Sequence, residues 1–339
     1  MKNLAMPKTS SLRYHLRGGG ATMTHKARAL IEQHFHGAYG VYFNKCSKDD
    51  ILMLSSKLKQ NNGIGGIFPT LVTDTVENIR RQTEIIKSAA LETTDKMAKI
   101  LGIHLEGIFI NPTKNGIHDE KLCLEPTIEN FQKVEDDFIR IVTVAPELCK
   151  QTPSDSGNLI NYLNKKGVKV QAGHCLGSDL TGCSGVTHIF NTMPLMSHKN
   201  NEPTPSLKAL VNNNIYAEII ADGIHVADDM LIVLFKTKPA SKIILISDSL
   251  PAAGLHLEKN YSFNFAGKEI IFDGQKLADA NGSLAGSSKL LSEIIKIFGS
   301  KKIVPRETLE QVIDNPYRYH DISEDLGTVH FDTNWNLIK

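Results

Sequence analysis

Six side chains in this sequence could gather around one cation: His34, His36, Glu106, His174, His188 and Asp248. Each stands where an apolar run gives way to small or polar residues. The clearest case is Gly102-Ile103-His104-Leu105-Glu106-Gly107, which follows Lys99-Ile100-Leu101 and ends abruptly in a carboxylate. A buried carboxylate is costly unless it is paired or holds a metal. Glu106, His174 and His188 offer one carboxylate and two imidazoles, a donor set that suits zinc, iron or a similar divalent ion. Three protein ligands leave a position open for water. His34 and His36 are two residues apart and share one face of an extended strand, so they could grip one ion together. Asp248 closes the run Leu245-Ile246-Ser247-Asp248. A carboxylate there can take a proton from water and return it to a leaving group. Its alternative reading is a helix N-cap, which the helix-poor Pro251-Ala252-Ala253-Gly254 weakens. Asp222, in a turn with Gly223, reads as structural. His118 and His225 could face the same pocket, but spacing alone does not place them. Cys175, next to His174, points to the other side of its strand.

The elements that must carry these groups follow from periodicity. Strands are expected over Leu30–Gly37, Gly66–Leu71, Leu101–Glu106, Ile139–Val144, Val168–His174, Gly185–Phe190, Tyr216–Ala221 and Ile243–Ile246. Helices are expected from Asp49 to Gln60, from a cap at Thr73 or Asp74 towards Lys96, and from Ser154 to Lys166 before Gly167. Eight strands alternating with helical stretches predict an α/β fold, a (β/α)₈ TIM-type barrel. The alternative, an open doubly wound sheet, lacks a Gly-rich phosphate fingerprint after the first strand. In barrels of this kind the chemistry lies at the C-terminal ends of the strands. Strands one, three, five, six, seven and eight here all run out into His, Glu or Asp. Beyond Asp248, Tyr261–Phe272 reads as a hairpin, Leu290–Phe298 as a helix and Thr328–Lys339 as strand-like. The expected organisation is a catalytic barrel over 29–320, flanked by a reduced small β appendage built from 1–28 and 321–339.

The 339 residues are 41% hydrophobic, enough for one barrel-sized core. Lys+Arg (38) nearly balances Asp+Glu (37), so charge makes no case for nucleic acid or a membrane surface. No apolar run is long enough to span a bilayer, and Met1–Gly20 lacks the apolar core of a signal peptide. The five cysteines form no CxxC pair and leave an odd one over, which fits a reduced, cytoplasmic setting.

Taken together, the motifs resemble the N-acetylglucosamine-6-phosphate deacetylase family of the amidohydrolase superfamily. They are His34-Phe35-His36-Gly37, Gly102–Gly107, Lys114-Asn115-Gly116-Ile117-His118, Ala145-Pro146-Glu147, Ala172-Gly173-His174 and Thr187–Met193. Ala221-Asp222-Gly223-Ile224-His225, Ser247-Asp248 with Ala252-Ala253-Gly254, and Leu284-Ala285-Gly286-Ser287 complete the set. The resemblance implies a metal held by Glu106, His174 and His188, most simply zinc with iron as the alternative. It implies room for a second ion at His34 and His36. It further implies Asp248 as general base and acid, His118 polarising the acetyl carbonyl, and His225 binding the sugar phosphate. Asn191, Thr192 and Leu284 match substrate-binding positions. The implied reaction hydrolyses the acetamide of N-acetylglucosamine 6-phosphate to acetate and glucosamine 6-phosphate, in a homodimer. Another N-acyl substrate, or a non-catalytic sugar-phosphate binder, would use the same scaffold.

Three departures from the family pattern stand out. The small β domain is expected to be reduced. The family's Gly-Pro after the metal-binding Glu is here Gly107-Ile108. Its phosphate-binding arginine is matched best by Lys199, which binds phosphate as a point charge without the bidentate fork.

Overall fold

The computed structural model describes residues 24–149, 157–195 and 203–338. A short strand, β1 (His25–Arg28), leads into a parallel sheet of eight strands. These are β2 (Leu30–Phe35), β3 (Ile64–Leu71), β4 (Ile103–Glu106), β5 (Ile139–Val144), β6 (Lys169–Ala172), β7 (Gly185–Val186), β8 (Tyr216–Ile219) and β9 (Ile243–Leu245). They pair in sequence order from β2 to β9, with Lys99–Ile100 as an extra pair on β3. The sheet curls until its first and last strands meet. Asp248 N donates to His34 O (2.9 Å) and His36 N to Ser249 O (2.8 Å), which closes the seam. The buried Glu32 carboxylate takes two further amides there, from His34 (3.2 Å) and Ser247 (3.1 Å). The seam therefore fixes three candidate site residues, His34, His36 and Asp248, relative to one another.

Eight α-helices are present among the described residues: α1 (Lys48–Asn62), α2 (Val76–Ala90), α3 (Ile128–Gln132), α4 (Leu159–Lys165), α5 (Pro205–Val211), α6 (Asp228–Thr237), α7 (Leu291–Ser300) and α8 (Arg306–Tyr319). A Ser47–Asp50 capping box starts α1. Thr75, rather than Thr73 or Asp74, caps α2, and that helix stops at Ala90, short of Lys96. Asn158 caps α4, and the expected start at Ser154 lies outside the described residues. The sequence reading had no counterpart for α8, whose interior holds Pro316. Tertiary bonds hold that helix: Tyr317 donates to Ala29 O (2.6 Å) and Asn315 to Ile243 O (2.6 Å).

The apolar core lies between sheet and helices, with Ile51, Leu54, Leu58, Ile79, Ile86, Leu231 and Ile294 all buried. The strands also bury a polar set, Gln33, His104, Thr143, Gln171, Thr187 and Glu218. Its members satisfy one another, for example through Gln33 Nε2 to Glu218 Oε1 at 2.6 Å.

Two three-stranded antiparallel sheets and a two-stranded ribbon, Gly37–Ala38 with Val41–Tyr42, complete the fold among the described residues. β1 pairs with β13 (Thr328–Phe331), which pairs with β14 (Leu337–Ile338), so the two ends of the described chain build one appendage. The expected hairpin after the barrel is a three-stranded sheet, β10 (Ser262–Phe265), β11 (Lys268–Phe272) and β12 (Leu277–Asp279). Its Phe265, Ile270 and Leu277 pack on Val72, Ile117, Leu250 and Ala285 at the rim of the barrel. No helix of the described residues is long and apolar enough to cross a membrane.

Candidate active site

The strand ends deliver the predicted residues to one place, and the backbone turns sharply as it does so. Glu106 is the last residue of β4. His174, His188 and Asp248 lie just past β6, β7 and β9, each with positive φ (48°, 28° and 51°). Left-handed backbone is uncommon for residues with a side chain and concentrates at functional sites. The same turns shorten the sixth strand. The sequence reading ran it to Phe190, whereas β7 ends at Val186 and both His188 and Phe190 leave the extended region.

Glu106, only 1% exposed, is the centre of the cluster. Its Oε1 lies 2.9 Å from His188 Nε2, 3.3 Å from His34 Nε2 and 3.4 Å from His174 Nε2. Its Oε2 lies 3.0 Å from His36 Nε2 and 3.6 Å from His118 Nε2. Asp248 Oδ1 approaches His36 Nε2 (3.3 Å) and His34 Nε2 (3.4 Å). Burial alone would raise the Glu106 carboxyl. In the metal-free protein the charge of His34 and the close approach of His118, His174 and His188 overcome it and hold Glu106 well below the usual carboxylate range. Asp248 is likewise lowered: burial opposes ionisation, and His34 and His36 favour it.

The outer ring nitrogens show which face each imidazole turns inward. His34 Nδ1 meets Glu218 Oε2 at 2.9 Å, His36 Nδ1 meets Thr70 O at 3.3 Å, and His174 Nδ1 meets Lys114 O at 2.8 Å. Carboxylate and carbonyl oxygens can only accept, so each Nδ1 carries the proton. In the neutral ring each Nε2 is then a lone pair aimed at Glu106. His34 Nε2 is buried without a hydrogen-bond partner, and the Nε2 atoms of His174 and His188 face each other at 3.1 Å. Lone pairs crowded around a carboxylate fit a divalent cation. Two groupings share Glu106, one with His34, His36 and Asp248, the other with His118 and His174; the 2.9 Å approach of His188 puts it beside the second.

The cleft above the cluster is lined by His118, Asn191, Thr192, His225, Asp248 and Leu284. With His36, Glu106, His174 and His188 at its floor, ten residues named from sequence line this cleft, together with Gly116, Ile117, Ala285 and Gly286 of the quoted motifs. His118 is pushed down to about 4, burial outweighing the opposing Glu106. His225 Nδ1 bonds Asp222 Oδ2 (2.9 Å), which also accepts from Ser287 Oγ (3.0 Å). Asp222 therefore has the structural part read for it, as an anchor of His225. Lys199 lies outside the described residues.

Sequence reasoning missed Glu218 and Thr73. Glu218 carried a signal, a carboxylate inside the buried run Tyr216–Ala221, yet only the closed barrel sets it under His34. Thr73 looked like a cap, and it instead touches His118.

No protein-family model matches the chain. It is 32% identical over 276 residues to an N-acetylglucosamine-6-phosphate deacetylase from Bacillus subtilis, which spans 78% of this chain and 67% of that protein. The chain belongs to the N-acetylglucosamine-6-phosphate deacetylase family. The fold of the deacetylase from Thermotoga maritima superposes with a TM-score of 0.81 over 92% of this chain and 86% of that one, at 23% identity. A mutant deacetylase from Mycobacterium smegmatis, in complex with N-acetyl-D-glucosamine-6-phosphate, gives 0.78 over 92% and 84%, at 22% identity. The eight-stranded barrel with small antiparallel sheets is thus the fold of this deacetylase family. One difference follows from Gly107-Ile108: Ile108 has φ of 50°, which proline, fixed near about −65°, cannot adopt.

Proposed function

We propose that the chain hydrolyses the acetamide of N-acetylglucosamine 6-phosphate to glucosamine 6-phosphate and acetate, using a divalent metal. The observation that carries this reading is the convergence of five imidazoles and Asp248 on one buried carboxylate, Glu106. Glu106, His174 and His188 would hold the main ion, with zinc as the first choice and iron as the alternative. His34 and His36 would hold a second, with Glu106 between the two. Bound there, such an ion supplies Lewis acidity towards a carbonyl and makes water nucleophilic near neutral pH.

The remaining roles fall to side chains of the cleft. Asp248, kept ionised, accepts the proton of the attacking water and hands it to the departing nitrogen. His118 donates to the acetyl oxygen and steadies the charge that develops on it. Asn191, Thr192 and Leu284 line the place of the sugar. His225, which Asp222 holds with a raised pKa against the opposing effect of burial, carries positive charge for the phosphate, and Lys199 adds a second cation. A homodimer and a cytoplasmic setting belong to the same proposal. The latter is supported by the five cysteines, which are free thiols, four of them buried.

Acetate release from N-acetylglucosamine 6-phosphate, its C4 epimer and the unphosphorylated sugars, run beside metal analysis and a measurement of molar mass, tests the proposal. Turnover of the phosphorylated glucosamine derivative, lost on chelation and restored by zinc or iron, is the expected result. Preference for an unphosphorylated or unrelated N-acyl compound would overturn the substrate, and binding without release would favour a non-catalytic sugar-phosphate binder.

A further inference from the structure

Thr73 follows the end of β3 and is buried against the loop that carries His118. Three contacts meet there. The Ile108 amide donates to Thr73 Oγ1 at 2.9 Å. The same oxygen lies 2.7 Å from His118 Nδ1. The Thr73 backbone N–H points into His118 Nδ1 at 3.4 Å. A ring nitrogen that receives an N–H cannot carry a proton of its own. The Thr73 hydroxyl, already accepting from Ile108, is then free to donate its hydrogen to Nδ1. With Nδ1 accepting, the ring proton sits on Nε2, the nitrogen that faces Glu106 and the cleft. The tautomer follows from these bonds alone.

Gly107 adds an independent observation. A Cβ placed there would lie 2.1 Å from Thr73 Oγ1, 2.6 Å from Thr73 N and 2.8 Å from His118 Nδ1. Its φ of 116° is also one that residues with side chains rarely adopt. The backbone after Glu106 is thus bare at the point where threonine and histidine must touch.

We propose that Thr73 is a positioning residue that holds His118 with its proton on Nε2, so that His118 can donate to the acyl oxygen of the substrate. This rests on the deacetylase reading for the role of His118, but not for its tautomer. Thr73→Val removes the hydroxyl at nearly constant shape, and Thr73→Ser keeps it. Long-range ¹H–¹⁵N spectra of the zinc-loaded full chain, labelled at histidine and assigned with His118→Gln, report which ring nitrogen is protonated.

In the unsubstituted protein, Nε2 should be protonated and Nδ1 bare. Thr73→Val leaves Nδ1 only the long 3.4 Å backbone contact, so part of the population should move its proton to Nδ1 and kcat should fall about tenfold to a thousandfold, between loss of one hydrogen bond and loss of the right tautomer. KM should change little, and Thr73→Ser should restore both spectrum and kcat. A proton on Nδ1 in the unsubstituted protein overturns the inference, as does an unchanged tautomer in Thr73→Val. Should Thr73→Val fail to fold, the unsubstituted spectrum and Thr73→Ser still decide. If the protein releases no acetate, the deacetylase reading fails while the spectra still judge the hold of Thr73 on His118.

Discussion

Replacing His34 with alanine removes the partner of a buried carboxylate as well as a proposed metal ligand, and the two effects can be separated. Glu218 is 1% exposed and meets His34 Nδ1 at 2.9 Å. Burial would raise its pKa, and the charge and hydrogen bond of His34 bring it below the usual value. His34 in turn is raised well above the histidine range: burial opposes, and Glu106, Glu218 and Asp248 prevail. In chelator-stripped protein this is a buried ion pair. Breaking such a pair from one side costs about 3–5 kcal/mol. The lower end, about 3 kcal/mol, is expected here, because Gln33 (2.6 Å) and Gln171 (3.1 Å) still donate to Glu218. The space left by the ring adds a cavity term to His34→Ala, but that term is common to His34→Ala/Glu218→Gln. A double-mutant cycle therefore isolates the charge. The assay is urea unfolding of all four metal-free proteins at neutral pH. Glu218→Gln should recover much of the stability that His34→Ala loses. A coupling energy below about 0.5 kcal/mol, the usual scatter of additivity, would refute the reasoning. Metal analysis of the same variants should show one equivalent lost with His34.

Asp248→Asn should keep fold and metal while lowering kcat about 10²–10⁴-fold; near-normal turnover in the metal-loaded variant would remove Asp248 from proton transfer. The Asp222–His225 pair gives a pH signature. Asp222, lowered from 3.8 to about 2 although burial opposes it, contributes stability above pH 3.8 that is lost as pH falls towards 2. His225, raised above 6.5, contributes stability that is full below that pH and fades as pH rises through its folded pKa. The stability difference between the unsubstituted protein and Asp222→Asn should thus be larger near about pH 5 than about pH 9, and equal differences would sink the assignment. Lys199→Ala should weaken turnover of the phosphorylated sugar by about 1–3 kcal/mol in kcat/KM and spare the free sugar; equal loss on both would remove Lys199 from phosphate binding.

The sequence by itself determined the barrel and most of the site. Eight apolar runs had to be buried strands, and a carboxylate or histidine at a strand end is legible because the period changes there. Glu106 is the best example, since an apolar strand that ends in a charge has few explanations. Tertiary structure decided what depends on pairing across the chain. The seam bonds between Asp248 and His34 and between His36 and Ser249 join residues about two hundred positions apart, and no local pattern encodes them. The same holds for Glu218 beneath His34, and for Thr73, whose cap-like sequence suits a helix that Thr75 starts instead. The left-handed turns at His174, His188 and Asp248 were also invisible, because the tolerance of His and Asp for positive φ does not mark which of them adopt it. Packing of the closed barrel imposes those turns, and they swing the histidines and the aspartate onto one carboxylate.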